Sequence, residues 1–291
     1  MEPISITSAD DPRVADYIDL RDPESRRRIE GDEFFIAEGI NVIERLLVSR
    51  FALRSVLVTP NRYARMEPSL RHVTCPVYVA DREVLAKVAG FDLHRGAVAA
   101  ADRGAPMLLS SLLSSLLTSP LSPQGDVPRD SARDSTSGTG RTLAVLEGLN
   151  DPENLGAIAR SARALGVDGL ILDPTCADPF YRRTVRVSMG EILFIPTVRS
   201  TDWAHDLDLI AAAGFRLLAL TPSPSALSIH EVRRVPGDRV ALLLGAEGPG
   251  LTERTLRRSE QVRIPLRADV DSLNVGHAAA IAFALLSQVT P

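Results

Sequence analysis

Five polar side chains, set in three loops that each adjoin an apolar run, are the residues of this chain whose types and spacing could do chemistry. Asn154 and Arg160 bracket Asn154-Leu155-Gly156-Ala157-Ile158-Ala159-Arg160. Glu247 stands among three glycines in Gly245-Ala246-Glu247-Gly248-Pro249-Gly250-Leu251, directly after Leu244. Ser272 and Asn274 end a stretch that runs from Ile264-Pro265-Leu266 to Ser272-Leu273-Asn274. Glycine admits positive φ and close backbone approach, so the second loop is suited to holding a ligand through main-chain groups. The carboxyl edge of a parallel sheet is also where open α/β folds bind ligands. The glycines do not form a phosphate cradle of the usual kind and serve some other ligand. A Walker loop needs Gly-Lys-Ser or Gly-Lys-Thr, a dinucleotide loop needs Gly-x-Gly-x-x-Gly between strand and helix, and neither is present. An ordinary strand-to-helix turn accounts for one glycine, and poorly for three with a glutamate. The other polar residues also have plain structural readings: Asn154 as a helix cap with Arg160 on the exposed face, and Ser272 or Asn274 as the N-cap of a last helix.

The elements that must position these loops read as α/β throughout. Strand-like and helical runs alternate over 34–37, 40–48, 55–59, 77–80, 83–88 and 97–101, which predicts a small α/β layer structure. Asp81 is placed to cap a helix that Gly90 ends. Paired leucines predict a short amphipathic helix over 108–117, and the Ser/Pro/Gly-rich 118–140 reads as a disordered linker. Beyond it, a strand at 143–146, a helix at 155–165 closed by Gly166 and a strand at 170–172 form a βαβ unit of a parallel sheet. Further strands are predicted at 192–195, 215–220, 240–244 and 262–265. Helices are predicted at 203–212, 253–258 and 275–286.

In this order, and across 141–291, the three loops resemble the signature motifs of the SpoU (TrmH-like) branch of the SPOUT RNA methyltransferases. The resemblance implies transfer of a methyl group from S-adenosyl-L-methionine to a ribose 2′-hydroxyl of RNA, ribosomal (23S) rather than transfer RNA. Such an in-line displacement asks the protein to hold two centres close and aligned rather than to form a covalent intermediate. By resemblance Arg160 approaches the target nucleotide and Asn154 supports it. A guanidinium with pKa above ~12 is a poor base in isolation. Arg160 is therefore expected to orient the nucleotide and stabilise the developing oxyanion, with Glu247 the alternative polar partner. Ser272 and Asn274 would face the reacting ribose. Leu244, Gly245, Ala246, Gly248, Gly250, Ile264, Leu266, Leu273 and Asn274 would bind the cofactor, the backbone around Ile264 and Leu273 lining the adenine pocket. Family members often carry a serine and a small apolar residue where this chain has Gly276 and His277, so His277 is read as a packing or interface residue.

The resemblance further implies a C-terminal SPOUT α/β knot, a trefoil-knotted parallel sheet that periodicity alone could never reveal. It also implies a homodimer through that domain. More loosely, Phe35-Ile36-Ala37-Glu38-Gly39 and the run from Ala89-Gly90-Phe91 through His94-Arg95-Gly96 resemble a smaller, ribosomal-protein-L30e-like RNA substrate-binding domain, in which His94 could touch RNA. The expected division is 1–104, a linker 105–140, and 141–291.

Composition sets the bounds. A chain of 291 residues exceeds one ordinary core, and 45% hydrophobic with 24% charged residues is that of a globular protein. A net charge of −4 argues mildly against a nucleic-acid binder. Phosphate contacts need only local patches, which Arg26, Arg27 and Arg28, or Arg182, Arg183 and Arg186, could supply. Cys75 and Cys176 stand far apart without metal-ligand spacing, so neither disulfide nor metal is expected. No apolar run nears the ~20 residues of a membrane span, and a cytoplasmic protein is expected. The rival readings are a non-catalytic RNA-binding protein that keeps the knot as a scaffold and a base methyltransferase.

Overall fold

The computed structural model describes residues 2–93, 95–118 and 140–286. They form two compact units, Met1–Pro106 with Asp178–Phe194, and Met107–Ala177 with Ile195–Pro291. His94 and most of the expected linker lie outside the described residues. No helix among the described residues is long and apolar enough to cross a membrane.

The first unit is a five-stranded sheet of β1 (Ile4–Ile6), β2 (Phe34–Glu38), β3 (Leu53–Val58), β4 (Val77–Ala80) and β5 (Ala97–Asp102), in the order β1-β4-β3-β5-β2. β5 runs antiparallel to both its neighbours, while β1, β4 and β3 are parallel. Helices α1 (Pro23–Glu30), α2 (Ile40–Leu47), α3 (Pro60–Leu70) and α4 (Arg82–Ala89) accompany it. All five residues of β2 are buried, as a strand covered on both faces requires. Tyr17 is fully buried yet satisfied: its hydroxyl lies 2.7 Å from Ser55 Oγ and accepts from Ala100 N at 3.3 Å. α4 ends on Gly90 at φ +78, the left-handed cap expected of it.

The segment Asp178–Phe194 belongs to this first unit, so the chain is not cut once between two consecutive domains. Aromatic packing and charge explain why. The Phe180 ring stands 5.2 Å from Phe35 and 5.3 Å from Phe51. Arg103 pairs with Asp178 at 2.7 Å, Arg182 and Arg186 pair with the buried Glu38, and Arg45 pairs with Glu191. Three arginines of the candidate basic patches, Arg26, Arg182 and Arg186, are thus engaged within the protein, while Arg28 and Arg183 are exposed. Arg182 and Arg186 neutralise a buried carboxylate instead of facing solvent. Arg26, only 3% exposed, pairs with Glu30 and donates to the carbonyls of Ile18 and Asp16.

The second unit is a seven-stranded, wholly parallel sheet. Its strands are β6 (Arg141–Glu147), β7 (Gly169–Leu172), β8 (Thr197–Arg199), β9 (Arg216–Leu220), β10 (Leu227–Ser228), β11 (Arg239–Gly245) and β12 (Glu260–Arg263), in the order β10-β12-β9-β11-β6-β7-β8. Helices α5 (Leu109–Thr118), α6 (Pro152–Ala164), α7 (Trp203–Ala212), α8 (Glu253–Leu256) and α9 (Val275–Leu286) complete it. α5 buries Leu109, Leu112 and Leu113 in the same core as Leu143 and Val145, and so belongs to this unit instead of to a linker. The chain winds from β6 outward through β7 and β8, crosses to β9, and returns to insert β11 between β9 and β6. β11 thus occupies the switch point of the sheet, whose carboxyl edge is the binding edge of open α/β folds.

The strand expected at 192–195 is a turn of 3-10 helix, Glu191–Leu193, and the strand follows at Thr197–Arg199. Gly190 at φ +80 starts the turn, and Leu193 N and Phe194 N donate to Gly190 O and Glu191 O. A short apolar run between such signals does not distinguish strand from buried turn.

Candidate functional site

Register brings the site together. β11 and β6 are paired so that Gly245 lies opposite Glu147, and both strands end there, at the carboxyl edge. Glu147 is buried, and its carboxylate accepts from Thr252 Oγ1 at 2.8 Å and Thr252 N at 3.4 Å. Thr252 in turn caps α8 by accepting from Thr255 N. The glycine loop is therefore fastened where it leaves β11 and where it enters the next helix. In between, Gly250 N donates to Ala246 O at 3.0 Å and closes the loop on itself. A Cβ on Gly245 would stand 2.3 Å from Gly250 C and from Leu251 N, so only glycine fits. Gly248 and Gly250 hold φ of +89 and +70, with no atom within 4 Å of where their Cβ would be. The space on the side where a Cβ would stand is open.

α6 starts on the same edge. Its N-cap is Asp151, which accepts from Glu153 N at 2.8 Å, with Pro152 in the first turn. Asn154 is thereby released from the capping role that its position suggested. It is 8% exposed, and its Oδ1 accepts from Asn274 Nδ2 at 2.9 Å. The same Asn274 amide nitrogen donates to Glu247 Oε1 at 2.9 Å. Asn274 Oδ1 accepts from Gly276 N at 2.9 Å and His277 N at 3.3 Å, which caps α9. One side chain thus ties the three loops together. Gly276 makes the approach possible: a Cβ there would meet Ala157 of α6 at 3.3 Å and Asn274 Oδ1 at 3.2 Å.

The remaining candidates are placed differently. Arg160 is exposed on α6, six residues beyond Asn154 and so about 9 Å farther along the axis on another face. Ser272 is exposed, and among the described residues it has no hydrogen-bond partner. Leu244 is buried in the sheet, so only its backbone is available to a ligand, whereas Leu273 is 37% exposed. Ile264 and Leu266, both half-buried, follow β12 at the same edge. His277 faces solvent on α9. Neither cysteine is an activated nucleophile. Burial pushes the Cys176 thiol up to about 12, and it donates to Leu146 O at 3.2 Å; burial also raises Cys75. Glu147, Thr252 and Asp151 were absent from the sequence reading. A glutamate ending a buried apolar strand just before Gly148 was the available signal.

A family model described as the SpoU rRNA Methylase family matches residues 141–284. An uncharacterized tRNA/rRNA methyltransferase of Mycobacterium tuberculosis is 43% identical over 281 residues, which is 96% of this chain and 89% of that protein. The AdoMet-bound rRNA methyltransferase from Sinorhizobium meliloti has the same fold with a TM-score of 0.72 at 25% identity, over 97% of this chain and 96% of that one. An RNA 2′-O ribose methyltransferase matches with a TM-score of 0.70 at 26% identity, over 97% of each chain. The parallel sheet and these likenesses bear out the expected α/β-knot class.

Proposed function

Because the chain belongs to the SpoU rRNA methylase family, we propose that it methylates a ribose 2′-hydroxyl, in 23S ribosomal RNA in preference to transfer RNA. The coarser activity needs no proposal: it is a methyltransferase of the tRNA/rRNA class whose cofactor is S-adenosylmethionine.

The observation that carries the finer reading is the junction at Asn274. Asn154, Glu247 and Asn274 converge through two hydrogen bonds of 2.9 Å at the switch-point edge, and the one ionisable group among these three, the Glu247 carboxylate, is engaged by the Asn274 amide. A site of this make-up can position a hydroxyl for direct in-line displacement. The residues present suit S-adenosylmethionine. The open space where side chains would stand at Gly248 and Gly250 lets a ligand approach the main chain closely. The loops after β11 and β12 are separated by β9, about two strand spacings or ~9.5 Å, enough for a planar base to lie between them. Gly245, Ala246, Gly248 and Gly250 would hold one side, with the Leu244 backbone behind them, and Ile264, Leu266 and Leu273 the other. When bound, the cofactor supplies the methyl group on a sulfonium, an electrophile that needs no metal. Asn274 and Ser272 would orient the ribose, Asn154 would fix Asn274, and Arg160 would approach the nucleotide from α6 and stabilise the developing oxyanion.

Two further parts of the reading are ours. The first unit, a separate α/β layer, would bind the RNA in the manner of the ribosomal-protein-like domain it resembles, which favours a ribosomal substrate. The second unit would pair with a second copy through α9. That helix buries Gly276, Ala279, Ala282, Phe283 and Leu286, yet leaves Ile281 40% and Leu285 44% exposed one turn apart. An apolar stripe of this kind is what an isologous interface covers. The enzyme would act in the cytoplasm, on RNA awaiting assembly.

The test is incubation with methyl-labelled S-adenosylmethionine and unmethylated ribosomal and transfer RNA, followed by nuclease digestion and mass spectrometry of the nucleosides. A 2′-O-methylated nucleoside from 23S RNA is expected. A base-methylated nucleoside overturns the ribose assignment, and label confined to transfer RNA overturns the substrate assignment. Arg160→Ala should keep cofactor binding and lose turnover; normal turnover removes Arg160 from the mechanism.

A further inference from the structure

α6 carries a second exposed arginine, Arg163, one turn beyond Arg160. Among the described residues neither side chain has a hydrogen-bond or ion-pair partner. Like charges at this spacing repel on a helix surface. Nothing on the helix relieves them: the positions three and four residues from either are Gly156, Ala157, Ala159, Ala164, Gly166 and Val167. Arg163 stands in the last turn, where a cation complements the helix dipole, but it does not cap the carbonyls next to it. The carbonyls of Ser161 and Ala162 are taken by the backbone N–H groups of Leu165 and Val167, both at 2.9 Å.

Four other exposed arginines of the unit are paired with carboxylates. Arg216 pairs with Glu260, Arg257 with Glu253, Arg258 with Asp208 and Arg267 with Asp269. Two adjacent guanidinium groups without a carboxylate break a local rule of charge pairing, and such exceptions gather where a ligand supplies the missing charge. A guanidinium presents a planar fork that matches phosphate oxygens in pairs. α6 also starts at the carboxyl edge that holds Asn154, so its exposed flank leads directly away from the site.

We propose that Arg163 is a positioning residue for the RNA substrate, its guanidinium holding a backbone phosphate next to the nucleotide that Arg160 approaches. The inference rests on the ribose-methyltransferase reading of the site. Arg160 and Arg163 differ by a helical rise of about 4.5 Å, so they address neighbouring groups of one strand instead of the same atom. Arg163 touches no reacting atom, and its contribution lies in RNA affinity and register.

The test uses the full chain with an unmodified 23S rRNA transcript as probe, comparing wild type with Arg163→Ala and Arg163→Lys. Arg163→Ala should weaken RNA binding about five- to tenfold and flatten the slope of log affinity against log salt by about 0.7 to 0.9, the loss of one phosphate contact. The KM for RNA should rise by the same factor, while kcat and the KM for S-adenosylmethionine stay within twofold. Arg163→Lys should restore the salt slope and part of the affinity. An unchanged slope in Arg163→Ala overturns the proposal and leaves the site reading intact. So does a loss of kcat that tracks a lowered melting temperature, which marks a structural role. If the wild type neither binds nor methylates the transcript, the site reading fails and the proposal with it.

Discussion

Asn274 Nδ2 lies 2.9 Å from Asn154 Oδ1, a contact between residues 120 apart in sequence that joins the first turn of α6 to the start of α9. The same amide nitrogen reaches Glu247, so the junction depends on a group that donates twice, while the oxygen of the side chain caps the helix. An asparagine does both at once. An aspartate does only the second.

That difference separates stability from activity. Asn274→Asp keeps an acceptor for Gly276 N but sets a carboxylate against Glu247, so its melting temperature should stay near wild type while methyl transfer falls tenfold or more, about 1.4 kcal/mol in the transition state. Asn274→Ala should also lose about 1 kcal/mol of stability with the cap. Full turnover by the aspartate variant, measured with labelled cofactor, would detach the junction from the chemistry.

Glycines of one loop should respond unequally. At Gly245 an added methyl meets backbone at 2.3 Å and must push the loop open, whereas at Gly248 it meets open space and only the positive φ is strained. Gly248→Ala should cost about 1 to 2 kcal/mol in unfolding experiments and leave cofactor binding measurable. Gly245→Ala should abolish cofactor binding in calorimetric titration. Equal affinities for the two variants would show that the close packing of Gly245 against Gly250 does not shape the site.

Assembly can be probed on the exposed stripe of α9. Ile281→Arg with Leu285→Arg alters side chains that are already about two-fifths exposed, so the fold of one chain should survive. Sedimentation should give a dimer for wild type and a monomer for the double variant, with methyl transfer lost in the monomer. A dimer that persists in the double variant would move the interface elsewhere.

Acidity offers a test of the opposite edge of the sheet. Asp168 accepts from Thr142 N at 2.7 Å and pairs with Arg141 at 3.0 Å, yet burial raises its carboxyl above the ordinary range. With a folded pKa above the unfolded one, the native state holds the proton longer, and this group's contribution to stability falls as pH rises from about 4 through the raised folded value. The stability of wild type minus that of Asp168→Asn, from urea unfolding, should therefore decline over that interval and then level off. A difference that grows with pH would mean that the ion pair outweighs burial.

Much of the second unit was legible because its central strands β6, β7 and β11 are buried on both faces and read as continuous apolar runs. The last helix was predicted at 275–286 and is found at Val275–Leu286. The three loops were legible by their order. What the sequence withheld was pairing. Nothing in the spacing tells that Asp151 takes the cap and frees Asn154, that Glu147 fastens Thr252, or that Arg160 stands apart from the asparagines. Nor does charge alone reveal that Arg182 and Arg186, two members of the candidate basic clusters, answer a glutamate buried in β2, far back in the sequence.

The excursion of 178–194 changes what a deletion could achieve. The backbone passes from one unit to the other three times, after Pro106, after Ala177 and after Phe194. Removing the first hundred residues would leave Phe180 without Phe35 and Phe51, and Arg182 and Arg186 without Glu38. The two halves are interlaced, unlike beads on a string. Neither can be exchanged for a foreign counterpart by a single splice, because each is built from stretches of chain that the other interrupts.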